Sequence, residues 1–392
     1  MNMAVKNDLP GALALGERLD TIASAGSAAG VRARLAGRWP AFTSGKLREI
    51  AIVGAAGEGL RLAALCARLG IVLRGVADDN AAKQAQRVEG RKVTAVEELD
   101  RLDRGTPVIV ASHRALLPVR RLRNMGFAHV APFLLLQELD PVRFPPHMFH
   151  DGLLEDLADN LPRYRELGEI VADDRSHAVL AAVIGYRLDA DPAVLDPIVE
   201  WDLYGPNNLL NYGMDEVYVD AGAYDGDSIR LFIKRVDGRY AKVIAFEPDP
   251  VTFGRLQANF ADEPRVQPVQ AGLHRAKATL RFDDAGTRGS ILAATGATTV
   301  PVVGLDEVLN GARVSYVKMN IEGAEIDALA GGAASIRRWA PKLAISAYHV
   351  PDHLWRVPAT IRGLRPDYRI YFRQHDGGII ESVTYALPSQ AA

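Results

Sequence analysis

Short apolar runs alternate with helix-period stretches twice along this chain, from Glu49 to about residue 140 and again from Glu216 to the C-terminus. In the first series, Ile50-Ala51-Ile52-Val53 predicts a strand and residues 54–59 a glycine-rich turn. Leu62, Leu65, Cys66 and Leu69 then recur at helical spacing up to a stop at Gly70. Residues 71–76 and 108–110 predict two more strands. In the second series, Val217-Tyr218-Val219 predicts a strand leading into the turn Asp220-Ala221-Gly222-Ala223-Tyr224-Asp225-Gly226. A strand at 243–246, a helix with Phe253, Leu256 and Phe260 on its inner side, and strands at 266–269, 314–319 and 343–347 follow. Strands separated by helices leave room for crossover connections, so each series predicts an α/β, doubly wound, Rossmann-like parallel sheet.

The flanking segments differ in character. Residues 1–46, rich in Ala, Gly and Arg, predict a helical extension, and residues 141–210, with Pro162, Pro192 and Pro197, predict a helical connector. The expected organisation is an extension at 1–46, a small Rossmann-like domain at 47–140, the connector at 141–210 and a second domain at 211–392. Polar, glycine-bearing sequence at 277–299 predicts an inserted hairpin. At the end, β-rich residues 368–372 and 382–386 flank His375-Asp376-Gly377-Gly378, whose composition suits a hairpin turn. A parallel sheet that finishes in an antiparallel hairpin is, by fold analogy, the arrangement of methyltransferases rather than dehydrogenases.

Composition narrows the classes. The 392 residues are enough for two cores, and 48% hydrophobic with 24% charged residues is the mixture of ordered globular chains. A formal net charge of −2 leaves no electrostatic footprint for nucleic acid. Arg120, Arg121 and Arg123 read as a solvated helix face. The single cysteine, Cys66, excludes an internal disulfide and a multi-cysteine metal site, which fits a reducing cytoplasm. No apolar stretch is long enough for a signal peptide or a membrane span.

The chemistry concentrates in the second series. Glu247 ends the strand that follows the Asp220-x-Gly222-x-x-x-Gly226 turn, 25 residues beyond Gly222 (222 to 247), the place of an acidic residue one βα unit downstream. Glycines let the backbone approach a ligand closely, and a carboxylate accepts hydrogen bonds from both ribose hydroxyls. NAD would satisfy the same pattern. Asp220 and Asp225, however, place negative charge where a pyrophosphate would lie, and that charge suits the cationic sulfonium and ammonium of S-adenosylmethionine. His349, just past the strand at 343–347, stands where ligands bind α/β sheets and is the candidate general base for a hydroxyl acceptor. Lys318 and Glu322 lie near the same crevice as candidate acceptor-binding residues. His375 reads as an ordinary polar turn residue, and Asp225-Gly226-Asp227, although it matches a metal-binding triplet, carries little weight inside the longer motif.

Residues 217–385 resemble the FkbM family of methyltransferases. The resemblance is carried by Val219-Asp220-Ala221-Gly222-Ala223-Tyr224-Asp225-Gly226, Ala245-Phe246-Glu247-Pro248-Asp249, Leu305-Asp306-Glu307 and Val317-Lys318-Met319-Asn320-Ile321-Glu322-Gly323-Ala324-Glu325. It implies a class I methyltransferase fold, S-adenosylmethionine as donor, and O-methylation of a sugar or other natural-product or glycan hydroxyl. The implied donor-binding residues are Asp220, Gly222, Ala223, Asp225, Gly226, Glu247, Pro248 and Asn320; where the family commonly has Asp, this chain has Asn320. No metal ligand is implied.

The first series leaves alternatives open. Its turn Gly54-x-x-Gly57-x-Gly59, with Asp78 24 residues past Gly54 (54 to 78), is a second nucleotide-binding pattern. Read alone, it allows an NAD(P)-dependent oxidoreductase or epimerase, or a non-catalytic sugar-nucleotide-binding protein. The expected partner is a small-molecule or glycan acceptor, without nucleic acid, and homo-oligomers are compatible with the sequence.

Overall fold

The computed structural model describes residues 10–146, 148–205, 209–283, 291–292 and 298–389. The described chain divides into two compact units. One comprises Met1–Glu169, Asp174–Val199 and Gln374–Ile380; the other comprises Ile170–Asp173, Glu200–Arg373 and Glu381–Ala392.

The first unit begins with helices α1 (Pro10–Ala25) and α2 (Ala28–Arg38). They bury Leu15, Leu19, Ile22, Val31 and Leu35, and Arg18 pairs with Asp189 at 3.2 Å. Its sheet is built from β1 (Glu49–Val53), β2 (Val72–Ala77), β3 (Arg87–Val88), β4 (Arg91–Thr94), β5 (Val108–Val110) and β6 (Val130–Pro132), in the order β3-β4-β2-β1-β5-β6. All pairings are parallel except β3 with β4. Helices α3 (Gly57–Arg68) and α4 (Leu116–Asn124) connect strands of this sheet, and α5 (Leu134–Leu139), α6 (Leu153–Asp159), α7 (Leu161–Ile170) and α8 (Asp174–Asp189) follow it. Leu62, Leu65 and Cys66 bury against β1 and β2 as their spacing predicts. The arginines of α4 are paired rather than merely solvated: Arg120 with Asp196, Arg121 with Asp79 and Glu97, and Arg123 with Asp191.

In the second unit, the central sheet comprises β7 (Val217–Ala221), β8 (Lys242–Phe246), β9 (Val266–Val269), β14 (Tyr316–Met319), β15 (Lys342–Ser346), β16 (Tyr368–Gln374) and β17 (Ser382–Pro388). A smaller sheet holds β10 (Gly272–Leu273), β11 (Ala278–Asp283), β12 (Ile291–Leu292) and β13 (Thr298–Val303), with β12 and β13 both antiparallel to β11; the connections of the hairpin expected at 277–299 lie outside the described residues. The helices are α9 (Asp227–Arg235), α10 (Pro250–Asn259), α11 (Leu305–Leu309), α12 (Glu325–Gly331), α13 (Ala333–Trp339) and α14 (His353–Leu364). The large sheet runs β16-β17-β15-β14-β7-β8-β9, parallel from β9 to β15, with β17 antiparallel to β15. Strand order reverses between β7 and β14, and in open α/β sheets the crevice outside the carboxyl ends at such a reversal is where ligands bind.

One local expectation is corrected. His375-Asp376-Gly377-Gly378 is not a tight hairpin turn but part of an irregular excursion over residues 375–381. The glycine pair serves close approach within the first unit. A Cβ on Gly378 would lie 1.6 Å from the His113 carbonyl oxygen, and the Gly377 carbonyl accepts from the Leu116 amide at 2.8 Å. His375 is buried in that unit.

Candidate functional site

The carboxyl ends of β7, β8, β14 and β15 bring together the turn at 220–226, Glu247, residues 320–322 and His349. On β7 the alternation breaks, because four consecutive residues, Tyr218, Val219, Asp220 and Ala221, are buried, as a central strand covered on both faces requires. Asp220 is therefore a carboxylate without solvent. Its counter-ion comes from the neighbouring strand: Lys318 is its direct cross-strand partner, and the Lys318 ammonium reaches Asp220 Oδ1 at 2.8 Å. The same Nζ donates to the carbonyls of Gly222 at 2.8 Å and Ala221 at 3.3 Å, and the Ser228 hydroxyl donates to Asp220 Oδ2.

An ammonium has three hydrogens, and these three oxygens take them all. Lys318 thus has no donor left for an acceptor substrate, which corrects the expectation that it binds one; it also lies inside the sheet, with only 2% of its surface exposed. Its position fixes the glycine turn from beneath. Charge in the turn needs a similar correction. Asp220 is neutralised by Lys318 and Asp225 pairs with Arg230 at 3.0 Å, so neither presents the bare negative charge expected to select a cationic ligand.

The turn is held from its other side by Glu247. Its Oε2 accepts the Tyr224 amide at 2.9 Å and its Oε1 accepts the Asp249 amide at 3.0 Å, while the Phe246 carbonyl takes the amides of Gly222 and Ala223. Burial pushes the Glu247 carboxyl above the usual range, and those two amides pull it part of the way back. Gly222 has φ +72, and a Cβ there would stand 2.0 Å from the Asn320 carbonyl oxygen. Gly226 has φ +88, and a Cβ there would strike the Phe260 ring at 2.1 Å. The glycines are thus demanded by packing within the unit, independently of any ligand. Ala223 turns its side chain into the core, and Pro248 packs beside Gly272. Replacing Gly222 with Val should push the turn away from β14 and cost donor binding together with the thermal stability of this unit. Calorimetric titration combined with a melting curve checks this; a folded variant with unchanged affinity would show that the turn is not part of the site.

At the β14 end, Asn320 Oδ1 accepts the Tyr348 hydroxyl at 3.2 Å. Glu322 has φ +54, and its Oε2 stands 3.6 Å from His349 Nε2. The other ring nitrogen, Nδ1, meets Glu325 Oε1 at 2.7 Å. Glu325 opens α12 and is fully buried; its oxygens also accept the amides of Ile321 at 2.9 Å and Gly323 at 3.1 Å, and Oε2 lies 3.3 Å from His353 Nδ1. Burial alone raises a carboxyl, but His349 and His353 outweigh it and hold Glu325 far below the ordinary carboxylate range. Burial lowers the His349 imidazole, and the carboxylates of Glu325 and Glu322 more than reverse that, so its net shift is upward. Burial raises Glu322, opposed by His349.

Glu325 was not singled out from sequence as a site residue. Its place at the end of the Val317 to Glu325 stretch is the signal that could have found it, but an acidic residue at a helix start also reads as ordinary dipole complementarity. The structure does bring Glu247, Asn320, Glu322 and His349 to the carboxyl edge of one sheet. In the first unit, Asp78 braces the turn after β1 in the same manner: its Oδ2 accepts the Ala55 amide at 2.7 Å and pairs with Lys83 at 3.1 Å. Among the described residues, no cluster of three or more His, Cys, Asp or Glu side chains is placed to hold a metal ion, and no helix is long and apolar enough to cross a membrane.

Over nearly the whole of both chains, 98% of this one and 99% of the other, the fold is similar to that of the methyltransferase FkbM crystal structure from Methylobacillus flagellatus KT, with a TM-score of 0.73 and 22% identity. A stretch of 137 residues is 28% identical to the hexuronic acid methyltransferase AglP of Haloferax volcanii, covering 33% of this chain and 57% of that relative, so the match spans little more than half the relative's length. Residues 220–375 match the Methyltransferase FkbM domain, a span that contains the turn, Glu247, Asn320, Glu322, Glu325 and His349. Over those residues, somewhat under half of its length, the chain is similar to the FkbM methyltransferases.

Proposed function

We propose that the second unit binds S-adenosylmethionine and methylates a hydroxyl of a sugar or glycan acceptor. The observation that carries this reading is the clasp between Glu247 and the glycine turn at the point where strand order reverses. Each Glu247 oxygen accepts one backbone amide, and a carboxylate oxygen accepts a second hydrogen bond, so the residue suits a ribose diol. The Gly222 to Gly226 turn would hold the remainder of the donor. When bound, S-adenosylmethionine supplies a methyl group on a sulfonium sulfur that departs as a neutral thioether.

The chain's own task is then to position the acceptor hydroxyl and remove its proton. A carboxylate at Nδ1 fixes the imidazole tautomer with hydrogen on Nδ1, and Nε2 of His349 is the atom that takes the proton. Glu322, beside Nε2, accepts hydrogen bonds from acceptor hydroxyls. The sugar class of the acceptor is supported by the carbohydrate-modifying relative.

Isothermal titration tests the donor. Saturable binding of S-adenosylmethionine is expected, with Glu247→Ala weakening it at least tenfold, in line with the roughly 1.5–3 kcal/mol of hydrogen bonds to a charged group. Absence of donor binding alongside binding of NAD(P) would refute the reading; equal affinity in a folded Glu247→Ala protein would remove Glu247 from it.

A further inference from the structure

Glu325, 0% exposed, holds both the His349 ring and the loop that follows β14. Through Oε1 it holds His349 Nδ1 and the Ile321 amide, and through Oε2 the Gly323 amide, with His353 Nδ1 at 3.3 Å. The backbone it gathers, residues 321–323, contains two left-handed positions, Glu322 at φ +54 and Gly323 at φ +102. Left-handed backbone at a glutamate persists only where its surroundings over-determine it. Here the over-determining group is a carboxylate that accepts the amides on both sides of Glu322. One side chain therefore fixes the loop that carries Glu322 and the ring that carries Nε2.

We infer that Glu325 is a positioning residue of this methyltransferase site, which locks His349 in the Nδ1–H tautomer with Nε2 presented for proton removal and holds the Glu322 loop beside it. The inference rests on the proposed role of His349 as base. Glu325 also supplies what a buried base needs. The groups around the His349 ring are Glu325 from α12, Glu322 from the loop after β14, Glu381 ahead of β17, and the Tyr348 ring at 4.1 Å; His353 from α14 competes for the same carboxylate. Of these, Glu325 is in hydrogen-bond contact with Nδ1, at 2.7 Å. Without it, only Glu322 and Glu381 would oppose burial, and the protonated ring would be less favoured.

The test is a 15N-detected titration of the histidine rings in the intact chain, compared with Glu325→Gln and paired with methyl-transfer assays over pH. The intact protein is expected to show His349 protonated on Nδ1 when neutral and titrating above the ordinary value of about 6.5. In Glu325→Gln the titration should move down by about one unit or more, the acidic limb of turnover should move with it, and kcat should fall roughly tenfold or more while donor affinity holds. An Nε2–H tautomer, or a titration at or below 6.5 in the intact protein, overturns the inference, and this arm stands even if Glu325→Gln does not fold. A folded Glu325→Gln protein that loses only thermal stability, with titration and limb unmoved, also overturns it. The titration needs no acceptor, so a protein that shows the Glu325-dependent ring but transfers no methyl group refutes the functional reading and leaves the ring assignment standing.

Discussion

Lys318→Ala should lower the stability of the second unit by about 3–5 kcal/mol, because it strips the counter-ion from a carboxylate that has no access to water. Asp220 and Lys318 are 0% and 2% exposed, face each other across β7 and β14, and lie 2.8 Å apart. Desolvation makes the pair an indifferent source of net stability, yet the loss of either member is severe, since what remains is a lone charge in the core. The Gly222 and Ala221 carbonyls would lose their Lys318 donor at the same time. Differential scanning calorimetry should therefore show a large drop in the transition of this unit, with donor binding lost as the turn loosens. Replacing both residues with apolar ones, Asp220→Leu with Lys318→Met, should recover much of the loss. A melting temperature for Lys318→Ala within a degree or two of the intact protein would mean that the pair is solvated and that the account of the turn is wrong.

His349→Ala should lower turnover by roughly two to four powers of ten, the range general-base catalysis contributes, and leave donor affinity nearly unchanged. In the intact enzyme, turnover should rise with pH as His349 loses its proton. Because Glu325 and Glu322 displace that loss upward against the opposing effect of burial, the limb should lie on the alkaline side of an ordinary histidine. A base must be neutral to act, so a raised pKa trades a smaller active fraction at neutral pH for a stronger base. Steady-state rates across pH 5 to 9 for the intact and Ala forms, about that span, check both statements. Near-normal turnover of the variant would assign the proton to another group or to solvent, and an effect on KM alone would make His349 an acceptor-positioning residue.

What could be read from sequence was what is local in sequence. The alternation of strand and helix, the turn after β7 and the acid at the end of β8 each lie within one βα unit, and all stand where the pattern placed them. Lys318 was misread because its partner is 98 residues away, and the register that makes them neighbours exists only once β7 and β14 pair. The same cause undid the argument from the charge of the turn: Asp220 and Asp225 are visible in the motif, but Lys318 does not declare itself as a counter-ion. Glycines misled in another way. Gly222 was expected to make room for a ligand, and Gly377 with Gly378 to form a turn; in the structure Gly222 makes room for the Asn320 carbonyl and Gly378 for that of His113. Glu325 was present in the motif and still passed over, because its partner His349 follows 24 residues later and its burial cannot be seen from a polar letter at a helix start.

The most direct test of the whole account is a crystal structure of the protein with S-adenosylhomocysteine bound. The ribose is expected on the Glu247 carboxylate and the sulfur at the carboxyl ends of β7 and β14, facing the side on which Nε2 of His349 lies. The nucleoside seated instead on the Gly54 turn and Asp78 of the first unit, or a sulfur turned away from His349, would contradict it.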